Sequence, residues 1–483
     1  MTLNRRDFLV MGTSLPAIAF LDHSDSLARF RRAFGGQVFA ASDASYDRAR
    51  SPASVNPVSD KRPYLIARCT SPKDVVLAIA FARSQGLEIA VRAGGHDVLG
   101  ASVCEGGIVI DVSGMKSIDI DAQRATARVA AGVRTGELHA ATAAHGLAPV
   151  LGCNPAVGVA GLTLGGGLGW FLGRFGAACD NLLAADIVTA DGRQRHVSAG
   201  EHADLFWGLR GGGGNFGIVT AFEYQLHPIN DVLGGVAAWR TDIGAFLRFY
   251  RAFMRSAPDE LTAEVSVVML DAPVVLATVC WSGDRIEGER VLRPLRDFGP
   301  PLADAIAMVP FAHLTDRPSP AFSARVFGPP SANQNGGRVY DYWRGGSLNE
   351  LTDPAIEQIV TRLQSATRGM SVGLGHYMHG QICRIAADAT PLPRVAGQLT
   401  YFFDANWRDP ARAEAAMAWV NDACAAMGRL SSAGTYVNYL SDDSDVAVRD
   451  AYQSNYARLV SLKRKYDPTN QFHLNRNIRP GLR

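Results

Sequence analysis

Nowhere in these 483 residues do two cysteines form a Cys-x-x-Cys pair. The seven present, at positions 69, 104, 153, 179, 280, 383 and 424, are too scattered for a zinc knuckle or a dithiol exchange pair. A disulfide framework is not expected. Charge of one sign is also lacking: Lys plus Arg total 48 against 46 Asp plus Glu. No basic run is interleaved with aromatics, which argues against nucleic-acid or anionic-membrane partners. Outside the N-terminus no apolar run is long enough to span a bilayer, so a soluble mature protein is expected. No Gly-x-Gly-x-x-Gly directly follows an N-terminal strand and opens a helix, which sets a nicotinamide enzyme aside. Internal repeats and low-complexity tracts are absent.

What the chain has instead is glycine, unevenly placed. Val157 to Trp170 holds six glycines in fourteen residues, a density that cannot serve a hydrophobic core. Lacking a Cβ, such a run brings bare backbone N–H groups against a flat ring system or a pyrophosphate. The alternative is a glycine-rich turn packed on a neighbouring strand. Two more loops of the same kind flank it, Arg92-Ala93-Gly94-Gly95-His96 and Gly211 to Gly217. The first residues carry a different signal. Asn4-Arg5-Arg6-Asp7-Phe8-Leu9 before the apolar run Val10 to Leu21 reads as a twin-arginine export signal, a route that carries folded proteins.

The length implies two domains, or one large domain with an insertion. Residues 30 to 66 are polar and proline-punctuated, and Arg62 to Arg68 reads as the first strand. Ser71 caps a helix with Pro72 at its first position, an inward stripe of Val75, Val76, Ile79 and Ala82, and Gly86 at its end. Glu88 to Val91 is a strand running into the loop that presents His96. Ser117 to Ala130 reads as a hairpin, Thr135 to His145 as a helix, and Asp191-Gly192 as the turn of a second hairpin. After His227-Pro228 the glycine loops stop. Strands at Val265 to Leu270, Val274 to Trp281 and Gly397 to Phe403 alternate with helices at Ile243 to Arg255, Ile286 to Phe298 and Ala411 to Met427. That pattern suits a sheet covered on one face by helices, with the other face free to wall a pocket. Asp316 to Tyr342 is expected to be irregular, and one helix is expected over about Asp445 to Lys465.

Taken in order, Arg92-x-Gly-Gly-His96, Val157 to Trp170, Asp180-Asn181-Leu182, Thr189 to Gly192, Asp204 to Trp207, Arg210 to Gly217, Tyr436-x-Asn-Tyr439 and Lys463 to Phe472 resemble the berberine bridge enzyme-like flavin-linked oxidases of the vanillyl-alcohol oxidase superfamily. The resemblance runs from about Val38 to the C-terminus. It implies an α+β fold in two parts: residues 38–228 as the N-terminal part of a p-cresol methylhydroxylase-type FAD-binding domain, and 433–483 as its C-terminal return. Residues 229–432 are then an inserted substrate domain of antiparallel sheet covered by helices, and 1–37 the signal and linker.

The same resemblance implies FAD joined covalently through His96. It assigns Arg92, Ala93, Gly94, Gly95, Val157, Gly158, Gly161, Thr163, Gly165, Gly166, Gly167, Gly169, Asn181, Gly217, Val219, Asn475 and Asn477 to cofactor binding. A second link from Cys153 stays open, because the family's cysteine position in Cys-Pro-x-Val-Gly is held here by Asn154. Tyr439 falls at the catalytic tyrosine, whose phenol, ordinarily near pKa 10, must be lowered by a neighbour to take a proton; Tyr436 assists or packs. His379 and Gln381 are candidate substrate contacts, and no metal ligands are expected. Val157 implies access of dioxygen to the flavin. The function implied is an exported oxidase of an alcohol, sugar or hydroxylated secondary metabolite that releases hydrogen peroxide. A flavin dehydrogenase, an oxidative cyclase and a non-enzymatic metabolite-binding flavoprotein are the alternatives.

Overall fold

The computed structural model describes residues 25–316, 319–327, 338–431 and 434–481; the twin-arginine segment lies outside them. Three sheets carry the fold. The first contains β1 (Gln37–Ala40), β2 (Leu65–Arg68), β3 (Ile89–Arg92) and β4 (Ile108–Asp111) in the order β1-β2-β4-β3. β4 pairs parallel with both β2 and β3, and β1 joins antiparallel at the edge. Parallel neighbours need a crossover, supplied by the helix Pro72–Gln85. Ser71 accepts the Asp74 N–H at its start and Gly86, at φ +63°, ends it. β1 lies in the polar, proline-punctuated stretch, ahead of the strand expected to be first, and four residues are too few for a periodic signal.

The second sheet holds β5 (Ile118–Asp121), β6 (Thr126–Ala130), β7 (Ala148–Pro149), β8 (Leu182–Thr189), β9 (Gln194–Ser198) and β10 (Gly217–His227). Its order is β5-β6-β10-β8-β9, with β7 on the end of β10 and every pairing antiparallel.

The third is larger: β11 (Asp231–Trp239), β12 (Leu261–Met269), β13 (Pro273–Trp281), β14 (Ala303–Asp304), β15 (Ala307–Pro310), β16 (Tyr340–Leu348), β17 (Met370–Tyr377) and β18 (Leu399–Trp407). Their order is β14-β11-β13-β12-β17-β18-β16, with β15 also on β11. Alternation along these strands decides which side is covered. Ala263, Val265 and Val267 of β12, and Tyr401, Phe403 and Ala405 of β18, share one core with Phe246, Leu247, Ile356, Ile359, Trp419 and Val420 from the helices Ile243–Arg255, Asp353–Gln364 and Ala413–Gly428. Each Val, Leu, Ile or Phe among them, fully buried, contributes roughly 1.5–3 kcal/mol. Glu264, Phe402 and Asp404 alternate with them and line a cavity on the opposite face.

The C-terminal segment returns to the first core, where Val437, Val448, Tyr452, Leu459 and Leu462 pack with residues of β6, β8 and β10. The single helix expected there is two, Asp445–Tyr452 and Tyr456–Tyr466, broken at Gln453, whose φ is +49°. Lys463 is wholly buried, and its ammonium donates to Asn215 O (2.9 Å), Phe472 O (2.8 Å) and Asp467 Oδ2 (2.7 Å). All three N–H donors are therefore satisfied. The side chain of Asn215 accepts from Ile478 N–H and donates to Gly212 O, so the third glycine loop is held by the C-terminal segment.

Candidate active site

Between the glycine loops and the uncovered face of the third sheet lies a cavity of about 1090 Å³. That is at or above the upper end for a pocket holding one drug-sized ligand, and gives room for a large cofactor and a substrate together. The loop Ala93 to Asp97, the run from Cys153 through Gly165, Gly213 to Val219 and the segment Leu474 to Arg476 form one side. Two loops meet there backbone to backbone: a Cβ on Gly94 would fall 2.4 Å from Gly158 N, and one on Gly158 2.6 Å from Gly94 N. Gly161 and Gly214 serve differently. A Cβ on either meets nothing within 4 Å, so both keep open the space into which a side chain would project. Asn475, which lines the cavity, leaves its buried Oδ1 without a partner. A cradle of close backbone with an unsatisfied polar atom fits a flat ring system on a pyrophosphate chain.

His96 stands half-buried in this wall, its Nε2 3.2 Å from Ala156 O. A carbonyl only accepts, so Nε2 carries the proton and Nδ1 the lone pair. Burial lowers the imidazole pKa below its ordinary value, which keeps the ring neutral and nucleophilic near pH 7. Asp97, next in the chain, is raised by burial but more than compensated by Arg476 and the N–H groups of Ala101 and Leu99, so its carboxyl sits below the usual range. Arg476 pairs with it and donates to Leu440 O at 2.7 Å, tying the histidine loop to the C-terminal return.

At the seam between cradle and sheet sits the Tyr436-x-Asn-Tyr439 turn, whose last three residues form a 3₁₀ turn rather than a strand. The Tyr436 hydroxyl accepts from Gly167 N–H (3.0 Å) and Asn438 Nδ2 (2.8 Å), and burial pushes it up to about 12. Tyr436 therefore fixes the turn. The Tyr439 phenol lines the cavity, and it is pushed well above its ordinary value by burial, then by Glu264, Cys153 and Tyr436. No cation is among those neighbours, so the lowering that a phenolate base requires is not supplied.

Ala93, Gly94, Gly95, His96, Cys153, Val157, Gly158, Gly161, Gly165, Gly217, Val219, Asn475, Tyr436 and Tyr439 all line the cavity. Seven further residues expected at the site stand outside its lining. Arg92 donates to Ala49 O and Arg50 O and pairs with Asp111 at 2.9 Å, which ties β3 to β4 and to the short helix Tyr46–Arg50. Thr163 is bonded to the Tyr224 hydroxyl. Gly166 packs beneath Leu392, Gly167 against Ala178 and Gly169 against Leu151 O. Asn181 caps the turn below, donating to Phe175 O and Ala177 O, and Asn477 also lies off the wall. His379 and Gln381 are likewise corrected. The pairing of β17 with β18 is irregular between Leu374 and Tyr377, so Tyr377 packs toward the helices while His376 lines the cavity, and the strand ends at Tyr377. His379 Nε2 instead reaches Pro258 O, while Gln381 accepts from Arg384 at the surface.

His376 is the residue of that group which the structure brings in. Its buried Nδ1 lies 2.8 Å from Glu264 Oε1, and Cys153 Sγ donates to the same oxygen at 3.4 Å. The three donor atoms fall within 4.8 Å of one another. The edge of a tetrahedral zinc shell, from bonds of about 2.0–2.1 Å, is roughly 3.3 Å, so imidazole and carboxylate at 2.8 Å would have to part to take an ion between them. Glu264, Asp341 and Asp404 went unmarked in the sequence. The available signal was one carboxylate in each of three strands, Glu264 in β12, Asp341 in β16 and Asp404 in β18. Asp404 is pushed up to about 7 by burial and by Asp341.

With this geometry in place, the comparisons with known proteins agree among themselves. Residues 63–198 match the family model of an FAD binding domain, and 435–479 that described as berberine and berberine like. The (R)-6-hydroxynicotine oxidase of Paenarthrobacter nicotinovorans is 32% identical over 439 residues, 87% of this chain and 92% of that protein. The crystal structure of 6-hydroxy-D-nicotine oxidase from Arthrobacter nicotinovorans superposes with a TM-score of 0.82 at 30% identity, covering 93% of this chain and 98% of the other. Phl p 4, a grass pollen allergen with glucose dehydrogenase activity, shares the fold with a TM-score of 0.78 at 22% identity, covering 95% and 100%. Its isoleucine-to-valine variant is a glucose oxidase.

Proposed function

Since this chain belongs to the berberine bridge enzyme-like, FAD-linked oxidoreductases, we propose that it is an exported oxidase carrying FAD covalently on His96. It removes a hydride from an alcohol, sugar or hydroxylated secondary metabolite and passes the electrons to dioxygen, giving hydrogen peroxide. Bound in the cradle, FAD supplies the two-electron acceptor. The observation that carries the reading is one cavity with two unlike walls: glycine loops bearing a neutral imidazole on one side, and a strand wall bearing Glu264 and His376 on the other, with Tyr439 at the seam.

Attachment through a single residue is supported by the state of Cys153. Burial and Glu264 push its thiol well above the ordinary range, and its sulfur is engaged with the sheet, whereas attack on a flavin carbon needs a thiolate. Val157 lines the cavity and, with the behaviour of the allergen's valine variant, supports dioxygen as acceptor. Arg476 is the one arginine or lysine among the described lining residues, and Asp97 already holds it. Facing Glu264, Asp341 and Asp404, the substrate is neutral or cationic. The twin-arginine motif supports export of the folded, loaded protein.

Denaturing the purified protein tests the assignment directly. Yellow colour is expected to stay with the polypeptide in wild type and in Cys153→Ala and to be lost in His96→Ala. Colour washed entirely from denatured wild type overturns the covalent reading. Anaerobic bleaching of the flavin by a panel of neutral and cationic metabolites, followed by peroxide detection on admitting air, tests the reaction.

A further inference from the structure

Within that oxidase reading, on which it rests, we propose that the proton acceptor is the imidazole of His376 backed by the Glu264 carboxylate, and that Tyr439 acts as a neutral hydrogen-bond donor to the substrate heteroatom. Both members of the pair line the cavity with Tyr439. His376 projects from the end of β17, where its backbone N–H is held by Thr400 Oγ1 at 2.9 Å; Glu264 comes from β12. Their side chains meet at 2.8 Å, and the two rings of His376 and Tyr439 lie with centroids 6.3 Å apart.

The pair has the parts of a base and its orienter. A carboxylate at Nδ1 fixes the tautomer, leaves the lone pair on Nε2 and stabilises the imidazolium that forms. Nδ1 and Oε1 are close but off the line of a hydrogen bond, so Nδ1 is a buried donor without an aligned partner. Catalytic contacts of this kind tighten when substrate binds. The Cys153 thiol donates to the same carboxylate. Tyr439 has the opposite surroundings. Burial, Glu264, Cys153 and Tyr436 all oppose its ionisation, so near neutral pH it has a proton to give and none to take.

The step balances for a substrate H–C–X–H, with X oxygen or nitrogen. The X–H bond breaks and its proton goes to Nε2 of His376. The C–H bond breaks with its electron pair going to the bound flavin, a C=X bond forms, and the substrate is oxidised by two electrons. The electrons leave to dioxygen as in the proposed function.

The test is the pH profile of anaerobic flavin reduction in the holoenzyme, with a substrate that bleaches wild type. Groups facing the pair are Cys153, Tyr436 and Tyr439 across the seam and Tyr250 on the helix behind β12, while Asp404 stands further along β18, opposite Ser371. The four thiol and phenol groups are all held protonated. Wild type is expected to lose rate as pH falls and the acceptor takes up a proton before substrate arrives. Glu264→Gln and His376→Gln are expected to slow reduction by about 10²–10⁴-fold and to abolish that acidic limb. Tyr439→Phe is expected to keep the limb at up to about 10-fold lower rate, and Asp404→Asn to keep it as well. A tyrosinate difference titration of wild type against Tyr439→Phe is expected to find no phenolate below the ordinary tyrosine range. The inference is overturned if Tyr439→Phe or Asp404→Asn removes the limb, if both pair variants keep it, or if Tyr439 titrates near neutrality. If no neutral or cationic substrate bleaches wild-type flavin, the oxidase reading itself fails.

Discussion

The two walls of the cavity are made in opposite ways. The cradle is backbone: Gly94 on Gly158 at a distance no Cβ tolerates, with Gly161 and Gly214 held bare toward the space. The opposite wall is side chain, with Glu264, Phe402 and Asp404 standing out from strands whose intervening residues bury themselves under helices. A backbone wall can bind only what every family member binds, because its N–H groups are the same whatever the sequence. A side-chain wall changes with each substitution at a two-residue period, and so can discriminate substrates without disturbing the fold.

The sharpest way to separate the walls is to fill the first. Gly161→Leu is expected to abolish flavin retention completely while apo-protein stability stays within about 0.5 kcal/mol, since its Cβ meets nothing; absorbance of the purified protein and thermal melting give both readings. Breaking the clamp behind the third glycine loop comes next. Lys463→Ala leaves Asp467 buried without its cation and is expected to cost about 3–5 kcal/mol in urea unfolding, with loss of cofactor as a consequence rather than the cause. Within the second wall, neighbours should behave differently. Phe403→Ala removes a ring buried under the helices and is expected to cost about 3–5 kcal/mol, whereas Phe402→Ala, on the cavity face, is expected to change KM for substrate and leave the midpoint nearly unmoved.

The smallest effect concerns Asp404. Its folded-state pKa, pushed up to about 7, exceeds the unfolded value of about 3.9, so between those limits the native state binds a proton that the unfolded state has released. Stability therefore falls as pH rises from about 4 to about 7 and levels off above. Asp404→Asn is expected to flatten that slope and to be the more stable protein on the alkaline side, by a margin limited because the carboxyl faces the cavity rather than the packed core. Unfolding midpoints at several pH values measure it.

Legibility followed the same division. The glycine loops, His96 and the capped helix Pro72–Gln85 could be read directly, because positive φ, close approach and capping each demand particular residue types at particular offsets. Glu264 could not be read that way. It stands in the middle of an apolar strand, and nothing local says that β12 would lie beside β17 or that its polar side chain would reach His376. His379 and Gln381 were misplaced because an irregularity in the pairing of β17 with β18, between Leu374 and Tyr377, turns Tyr377 to the helix side and His376 to the cavity, after which the strand ends. The role of the Arg92 side chain could not be read for a related reason: its partner Asp111 comes from β4, nineteen residues on.

By itself the sequence determined a cradle for a flat, phosphate-bearing cofactor, with a histidine in reach of it. These are properties of short segments whose backbone conformation is restricted by residue type. Only the tertiary structure decided which groups meet the substrate. Contacts between strands separated by a hundred residues, such as Glu264 with His376, and the burial beside Glu264 that keeps Tyr439 protonated, arise from sheet register and packing, which no local pattern encodes.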